Sequence, residues 1–243
     1  MTPKKLTGRV PPEAIKTLTL PRLAPELLQR YAAIEDLTGS VSDAMDNVGL
    51  MGAIPASKLI PNLPGKRLIG QAVTVRNVER TESAAAAAAS KIGKMGEHEA
   101  YNLAEPGDVV VIEGLAEVSN MGGQSATVAH RAGCAGAVID GSYRDPGASR
   151  ELNFPIWSRG LTPITGKWRL ETVEINGRVR IFGVSVNAGD LVLADEAGVV
   201  FVPFAHALAV LLEAEKIASS DSRQRADIAA GIDLAALAAT KYK

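Results

Sequence analysis

The sequence predicts a single α/β domain over residues 1–243, a central βαβ unit with antiparallel hairpins added to it. Three observations carry this reading. Residues 108–112 (Asp-Val-Val-Val-Ile) and 137–139 (Ala-Val-Ile) are short continuous apolar runs set off by Gly107, Gly114 and Gly136, the pattern of strands buried on both faces. Residues 124–133 between them are alanine-rich and end on Gly133, which suits a helix closed by a glycine cap. Strand, helix and strand within about 30 residues form a parallel unit with a right-handed crossover. Further along, two pairs of β-rich runs are joined by tight turn residues, the mark of hairpins.

In chain order, residues 1–24 hold Lys4, Lys5, Pro11, Pro12 and Pro21 without periodicity and read as an extended arm that packs on a neighbour. Pro25-Glu26 opens a helix through Ala33. A second helix spans 40–47, with Ser40 or Ser42 as its cap and Asp43 as a capping acid. Residues 72–75 form a strand by β-branching. Residues 82–92 contain the run Ala84 to Ala89, a smooth helix able to lie close against a sheet. Lys91, Lys94, Glu97, His98 and Glu99 then read as a solvated charged stretch.

Beyond the central unit, Val173 and Ile175 alternate with Glu174. Asn176-Gly177 supplies a two-residue turn, and Val179 and Ile181 resume the alternation. Residues 191–194 and 199–202 make a second hairpin through residues 195–198. Ala205, Leu208, Leu211 and Leu212 share one helical face, so residues 204–243 form a C-terminal helical segment.

Composition excludes several classes. A net charge of −1 gives no concentrated Lys/Arg surface for nucleic acid. A single cysteine, Cys134, excludes an internal disulfide. No apolar run resembles a signal peptide or approaches the roughly 18 residues of a membrane span, so a cytoplasmic protein that does not engage a membrane is expected. The chain is 47% hydrophobic but only 4% aromatic, so its core is built from Ala, Val, Leu and Ile.

The chemistry converges at one sheet edge. In a βαβ unit the loops leaving the two strands emerge on the same side, where ligands of open α/β sheets bind. Gly122-Gly123 and Arg144-Asp145 therefore face one another. The first amides of the helix, at Gln124 and Ser125, lack intrahelical partners and carry the positive end of the dipole, so they present donors to a carboxylate or phosphate. Arg144 offers a planar fork for the carboxylate of a 2-oxo acid. Asp145 is a hard oxygen ligand suited to Mg²⁺ or Mn²⁺. The competing reading is plain: Gly-Gly is a common turn, and Arg-Asp a common loop-fixing pair worth about 0–1 kcal/mol. His98 beside two glutamates lacks the spacing of a helical ligand pair, and His130 and His206 read as packing or surface residues.

Gly123, twenty intervening residues and then Arg144-Asp145 resemble the signature of the RraA-like family. That family includes class II pyruvate aldolases acting on 4-hydroxy-4-methyl-2-oxoglutarate and oxaloacetate decarboxylases. The likeness extends through residues 107–111, 153–158, 189–195 and 198–203. It implies a three-layer β/β/α sandwich of the swivelling-domain kind. It also implies a divalent cation, Mg²⁺ or Mn²⁺, on Asp145, with Arg144 on a small 2-oxo acid and Gly122, Gly123, Gln124 and Ser125 cradling it. The activity so implied is carbon-carbon cleavage through a metal-stabilised pyruvate enolate. Family aldolases are trimers or hexamers in which an acid of the C-terminal region reaches the metal waters of the adjacent subunit; Asp221 is the matching position. The family also contains non-catalytic regulators that bind a ribonuclease.

Two positions depart from the family pattern. Gly123 stands where many of the aldolases have Asp, and Ala148 where members with Gly carry an acid. Glu151 is a nearby acid that could replace them. Decarboxylation of oxaloacetate needs an electron sink and no strong base, whereas retro-aldol cleavage also needs a base for the C4 hydroxyl. The sequence therefore favours decarboxylation.

Overall fold

The computed structural model describes residues 4–242. The N-terminal segment runs extended apart from a 3-10 turn at Pro12–Ala14. Then come α1 (Pro25–Ala33), α2 (Leu37–Asn47), β1 (Ala53–Pro55), β2 (Ile60–Pro61) and the long β3 (Leu68–Glu79). The middle of the chain forms α3 (Ala84–Ser90), α4 (Glu97–Leu103), β4 (Val109–Glu113), α5 (Gly123–Arg131), β5 (Gly136–Tyr143), α6 (Pro146–Glu151) and β6 (Ile156–Leu161). It closes with β7 (Leu170–Ile175), β8 (Val179–Ile181), β9 (Val184–Val186), β10 (Leu191–Ala194), β11 (Gly198–Val202), α7 (Ala207–Ala229) and α8 (Leu234–Ala239).

β3, β4, β5 and β6 pair in parallel, and β1, β11, β10 and β3 pair antiparallel, so β3 belongs to both leaves. Alternation along the strands decides the layers. Val110, Ile112, Ala137 and Ile139 pack with Tyr101 of α4 and with Ala126 and Ala129 of α5. Val109, Val111 and Val138 point the other way, onto Val192, Ala194, Val199 and Phe201 of the antiparallel leaf. This is the β/β/α sandwich. Leu191, Leu193, Val200 and Val202 are also apolar, so the outer face of the antiparallel leaf needs cover of its own. Helices α1, α2 and α7 provide it through Tyr31, Leu37, Val210 and Leu211.

Local expectations fail where a distant group takes over a local role. The hairpin expected at Asn176-Gly177 does not form: β7 pairs with β3, and β8 pairs with β9. A type I′ turn needs positive φ at both central residues. Asn176 has it (54°) and Gly177 does not, whereas Phe182 (46°) and Gly183 (86°) both do. β3 also outruns β4, and β7 pairs with its final residues.

The second helix starts at Leu37, three residues before the expected Ser40 cap. The Thr38 amide in its first turn, which has no intrahelical partner, is satisfied by Asp195 in the β10–β11 turn (3.0 Å). Asp43 consequently lies mid-helix rather than in the first turn. The alanine helix is shorter than expected, capped by Ser83 and ended at the left-handed Lys91. The N-terminal arm packs on its own chain, burying Val10, Ala14 and Leu20 in the helix-side core. Residues 1–3 of the expected arm lie outside the described residues.

Candidate functional site

The site is built where the loops leaving β4 and β5 meet. Arg144 N donates to Met121 O (3.1 Å), and Asn120 N donates to Ser142 O (2.9 Å), so the two loops are laced together by backbone bonds. Asn120 is fully buried, and its side chain completes the lacing. Its Nδ2 donates across to Ser142 O (3.2 Å) and, within its own loop, to the carbonyls of Leu115 (2.9 Å) and Val118 (3.0 Å), while its Oδ1 accepts from Leu115 N (3.2 Å). A Cβ at Gly114 or Gly141 would come within 2.1 or 2.3 Å of that side chain, which explains glycine at the mouths of both strands.

Arg144 and Asp145 then reach the tip of α5. Asp145 Oδ2 accepts from Gly123 N (2.9 Å) and lies 3.5 Å from Arg144 Nε. The proximity expected from chain order is therefore present, with one difference: the first amide of α5 is already held by Asp145, leaving those of Gln124 and Ser125 as the helix-tip donors. Asp145 sits at φ 60°, ψ 52°, a left-handed conformation that for a non-glycine costs of order 1–3 kcal/mol and marks sites where geometry matters more than stability. Both side chains are open to solvent, 41% and 53% exposed. An ion pair this exposed contributes little to folding.

Gly122, Gly123, Gln124, Ser125, Arg144 and Asp145 line one open cavity of about 430 Å³. Arg9, Glu97, His98 and Lys167 line it as well. Three cationic side chains thus share the cavity with two carboxyl groups, a positive bias suited to an organic anion. Gly123 and Ala148, the two positions where family acids are absent, are spatial neighbours: a Cβ on Gly123 would stand 2.9 Å from the Ala148 methyl.

Glu97 is the main surprise. It was expected on a solvated stretch, yet Glu97 is 4% exposed and Glu99 is fully buried. Glu99 is structural, accepting from Thr7 of the arm and from Asn102. Glu97 Oε1 accepts from Ser125 Oγ (3.1 Å), which is 2.8 Å from the Tyr101 hydroxyl, while Oε2 has no partner among the described residues. Burial pushes the Glu97 carboxyl above its ordinary range, and His98, the local backbone amide, Ser125 and Arg9 only partly oppose this. The sequence did carry a signal: with a helix at 97–103, Glu97, Ala100, Tyr101 and Ala104 share one face.

The other candidates scatter. Glu151 is exposed at the end of α6 and does not line the cavity, so it does not replace the absent acids. Asp221 lines a different cavity, with Arg30, Asp36 and Arg225, so a single chain does not bring it to Asp145. His98 lies edge-on to Tyr101 (5.7 Å) and His130 edge-on to Phe154 (6.3 Å). Cys134 is buried, with its thiol pushed up to about 12 by desolvation.

This fold, with its glycine-tipped helix facing Arg144-Asp145, defines the class. The chain belongs to the RraA-like family: the model described as Aldolase/RraA matches residues 38–201, more than half of its length. It is 28% identical to protein DlpA of Legionella pneumophila over 224 residues, 90% of this chain and 34% of that protein. It is 37% identical over 126 residues, 51% of this chain, to a Halalkalibacterium halodurans protein named provisionally as a 4-hydroxy-4-methyl-2-oxoglutarate aldolase, of which it covers 60%. The chain thus spans about a third and less than two thirds of these relatives. The solved structure of Streptomyces coelicolor RraAS2, described as an unusual member of the RNase ES inhibitor RraA family, matches with a TM-score of 0.69 at 24% identity, over 85% of this chain and 99% of that one. That likeness establishes the fold. The family takes in aldolases and ribonuclease inhibitors alike. Among the described residues, no helix is long and apolar enough to cross a membrane.

Proposed function

We propose that this chain is a divalent-metal-dependent carbon-carbon lyase of small 2-oxo acids, with oxaloacetate decarboxylation ahead of 4-hydroxy-2-oxo acid cleavage. One observation carries the reading: an α-helix tip, a guanidinium and a carboxylate held by that tip converge on one open, positively biased cavity.

The residues fit a hard cation. Asp145 Oδ1 makes no hydrogen bond among the described residues, and its side chain is 53% exposed, so one carboxylate oxygen is available. A single available carboxylate oxygen suits Mg²⁺ or Mn²⁺, which keep several waters and take one or two protein carboxylates. Asp145 would hold the cation, and bound there it supplies positive charge to polarise the 2-oxo group of a substrate.

The chain's own groups do the rest. The amides of Gln124 and Ser125 receive the C1 carboxylate, and the absence of side chains at Gly122 and Gly123 lets it approach the backbone. Arg144 faces the oxygen on which charge accumulates when the C3–C4 bond breaks. Gly123 and Ala148 supply no base for a C4 hydroxyl, which places decarboxylation first. The proposal includes self-association, since Asp221 reaches a second site only from another copy; light scattering after size-exclusion chromatography tests it.

The deciding experiment is pyruvate release from a panel of 2-oxo acids with Mg²⁺ or Mn²⁺, corrected for the metal-only rate. Oxaloacetate should be turned over in a metal-dependent manner, and Asp145→Ala should lose activity about 100-fold or more, the scale set by losing a metal's charge. Turnover without divalent metal, or none at all with an intact fold, refutes the lyase reading. Faster cleavage of a 4-hydroxy-2-oxo acid than of oxaloacetate reverses the ordering.

A further inference from the structure

We propose that Glu97 is the proton donor to C3 of the enolate left when the substrate loses its fourth carbon, an inference that rests on the lyase reading above. Cleavage of the C3–C4 bond leaves its electron pair on the three-carbon fragment and releases C4 as CO₂. C3 then bonds to the Glu97 proton, giving the methyl group of pyruvate and a Glu97 carboxylate. Glu97 recovers a proton from solvent at the cavity mouth, so one proton is consumed per turnover, as the conversion of oxaloacetate to pyruvate and CO₂ requires.

Three observations carry this. First, the positions beside Asp145 cannot supply the proton. Gly123 and Ala148 carry no acid. In the lyase reading the open oxygen of Asp145 holds the cation, while its Oδ2 accepts from Gly123 N. Second, Glu97 lines the same cavity and is one hydrogen bond from the α5 tip, through Ser125. The Tyr101 hydroxyl lies within hydrogen-bond reach of Ser125 Oγ. With Tyr101 donating to Ser125 and Ser125 donating to Oε1, the proton of the carboxyl is placed on Oε2. Third, that oxygen is buried and makes no bond among the described residues. A buried polar group left unsatisfied is a cost to folding, so folding gains nothing from a glutamate here. Its use lies in what enters the cavity.

The charged and titratable groups around Glu97 are His98 and Tyr101 on its own helix, Arg9 from the arm, and Arg144, Asp145 and Lys167 in the same cavity. Desolvation raises the Glu97 pKa, and His98, the local backbone amide, Ser125 and Arg9 lower it by less.

The test is exchange of the pyruvate methyl protons in D₂O with Mg²⁺, followed by proton NMR. This is the same transfer run backwards and forwards without carbon-carbon cleavage. Wild-type protein should exchange, and the rate should rise with pH through the Glu97 titration. Glu97→Gln should lose exchange about 100-fold or more, the usual worth of a positioned acid-base group, and lose the pH limb. Its affinity for oxalate, an enolate mimic, should stay within a few fold, which a merely structural defect would not preserve. Metal-free ¹³C NMR of the Glu97 carboxyl in wild-type protein gives a second reading that needs no variant: titration within the ordinary glutamate range overturns the proposal. Exchange by Glu97→Gln at the wild-type rate overturns it while leaving the lyase reading intact. Wild-type protein that neither exchanges pyruvate nor decarboxylates oxaloacetate overturns both.

Discussion

Replacing Asn120 by Ala tests whether one buried amide holds the two halves of the site together. The side chain offers two Nδ2 hydrogens to the carbonyls of Leu115, Val118 and Ser142, while its Oδ1 accepts from Leu115 N and, at 3.5 Å, from Asn77 Nδ2. Two donor hydrogens satisfy at most two of the three carbonyls well, so about three good hydrogen bonds and one long one are lost. Each contributes about 1 kcal/mol net, and more where the orphaned partner stays buried, so the expected cost is about 3–4 kcal/mol. Against a typical total stability of about 5–15 kcal/mol this is a large fraction. At about 2–4 °C per kcal/mol for a domain this size, it lowers Tm by roughly 6–16 °C. Urea unfolding followed by circular dichroism measures it, with wild-type and variant m-values compared to confirm the same transition. A loss below about 1 kcal/mol would refute the account of Asn120 as the lace between the loops, and with it the explanation for glycine at 114 and 141.

Other consequences are equally specific. Gly123→Ala brings a methyl to 2.9 Å from that of Ala148 and should cost about 1–3 kcal/mol by overpacking; adding Ala148→Gly should recover part of it, and strict additivity in the double-mutant cycle would contradict the contact. Because burial raises the Glu97 pKa, the folded state keeps a proton that the unfolded chain has already lost. Wild-type stability therefore falls as pH climbs from the ordinary carboxylate range up to the Glu97 pKa, by at most about 1.4 kcal/mol per pH unit. Glu97→Gln lacks this term, so its stability relative to wild type should improve across that window, and parallel pH profiles would exclude a raised pKa. Gly183→Ala strains the left-handed turn between β8 and β9 and should cost about 1 kcal/mol in thermal unfolding, without altering pyruvate release.

Much of the fold was legible because the signals are local. The runs at 108–112 and 137–139, with a glycine-closed helix between them, specify a parallel unit by their continuous apolar character, and the hairpin at 191–202 is written in two apolar runs joined by a four-residue turn. That unit also told where Arg144-Asp145 and the tip of α5 must meet, since loops leaving parallel strands share an edge. The resemblance to a family supplied the roles assigned to those residues, which chain order could not.

What remained hidden depends on partners far away in sequence. Glu97 looked like surface because its neighbours are charged; its burial follows from the arm, from Ser125 on α5 and from the sheet beneath α4. Asn176-Gly177 has the composition of a hairpin turn, yet β7 finds longer pairing on β3, and the tight turn moves to Phe182-Gly183. Asn120 has no local signal, since its work is done across two loops. By itself, the sequence determined the parallel unit, its apolar strands and the edge where the site must lie, because hydrophobic period and glycine placement act within a few residues. Only the tertiary structure decided which acid the cavity buries and which amide ties its walls, because desolvation and hydrogen-bond satisfaction are set by whatever distant groups fold against them.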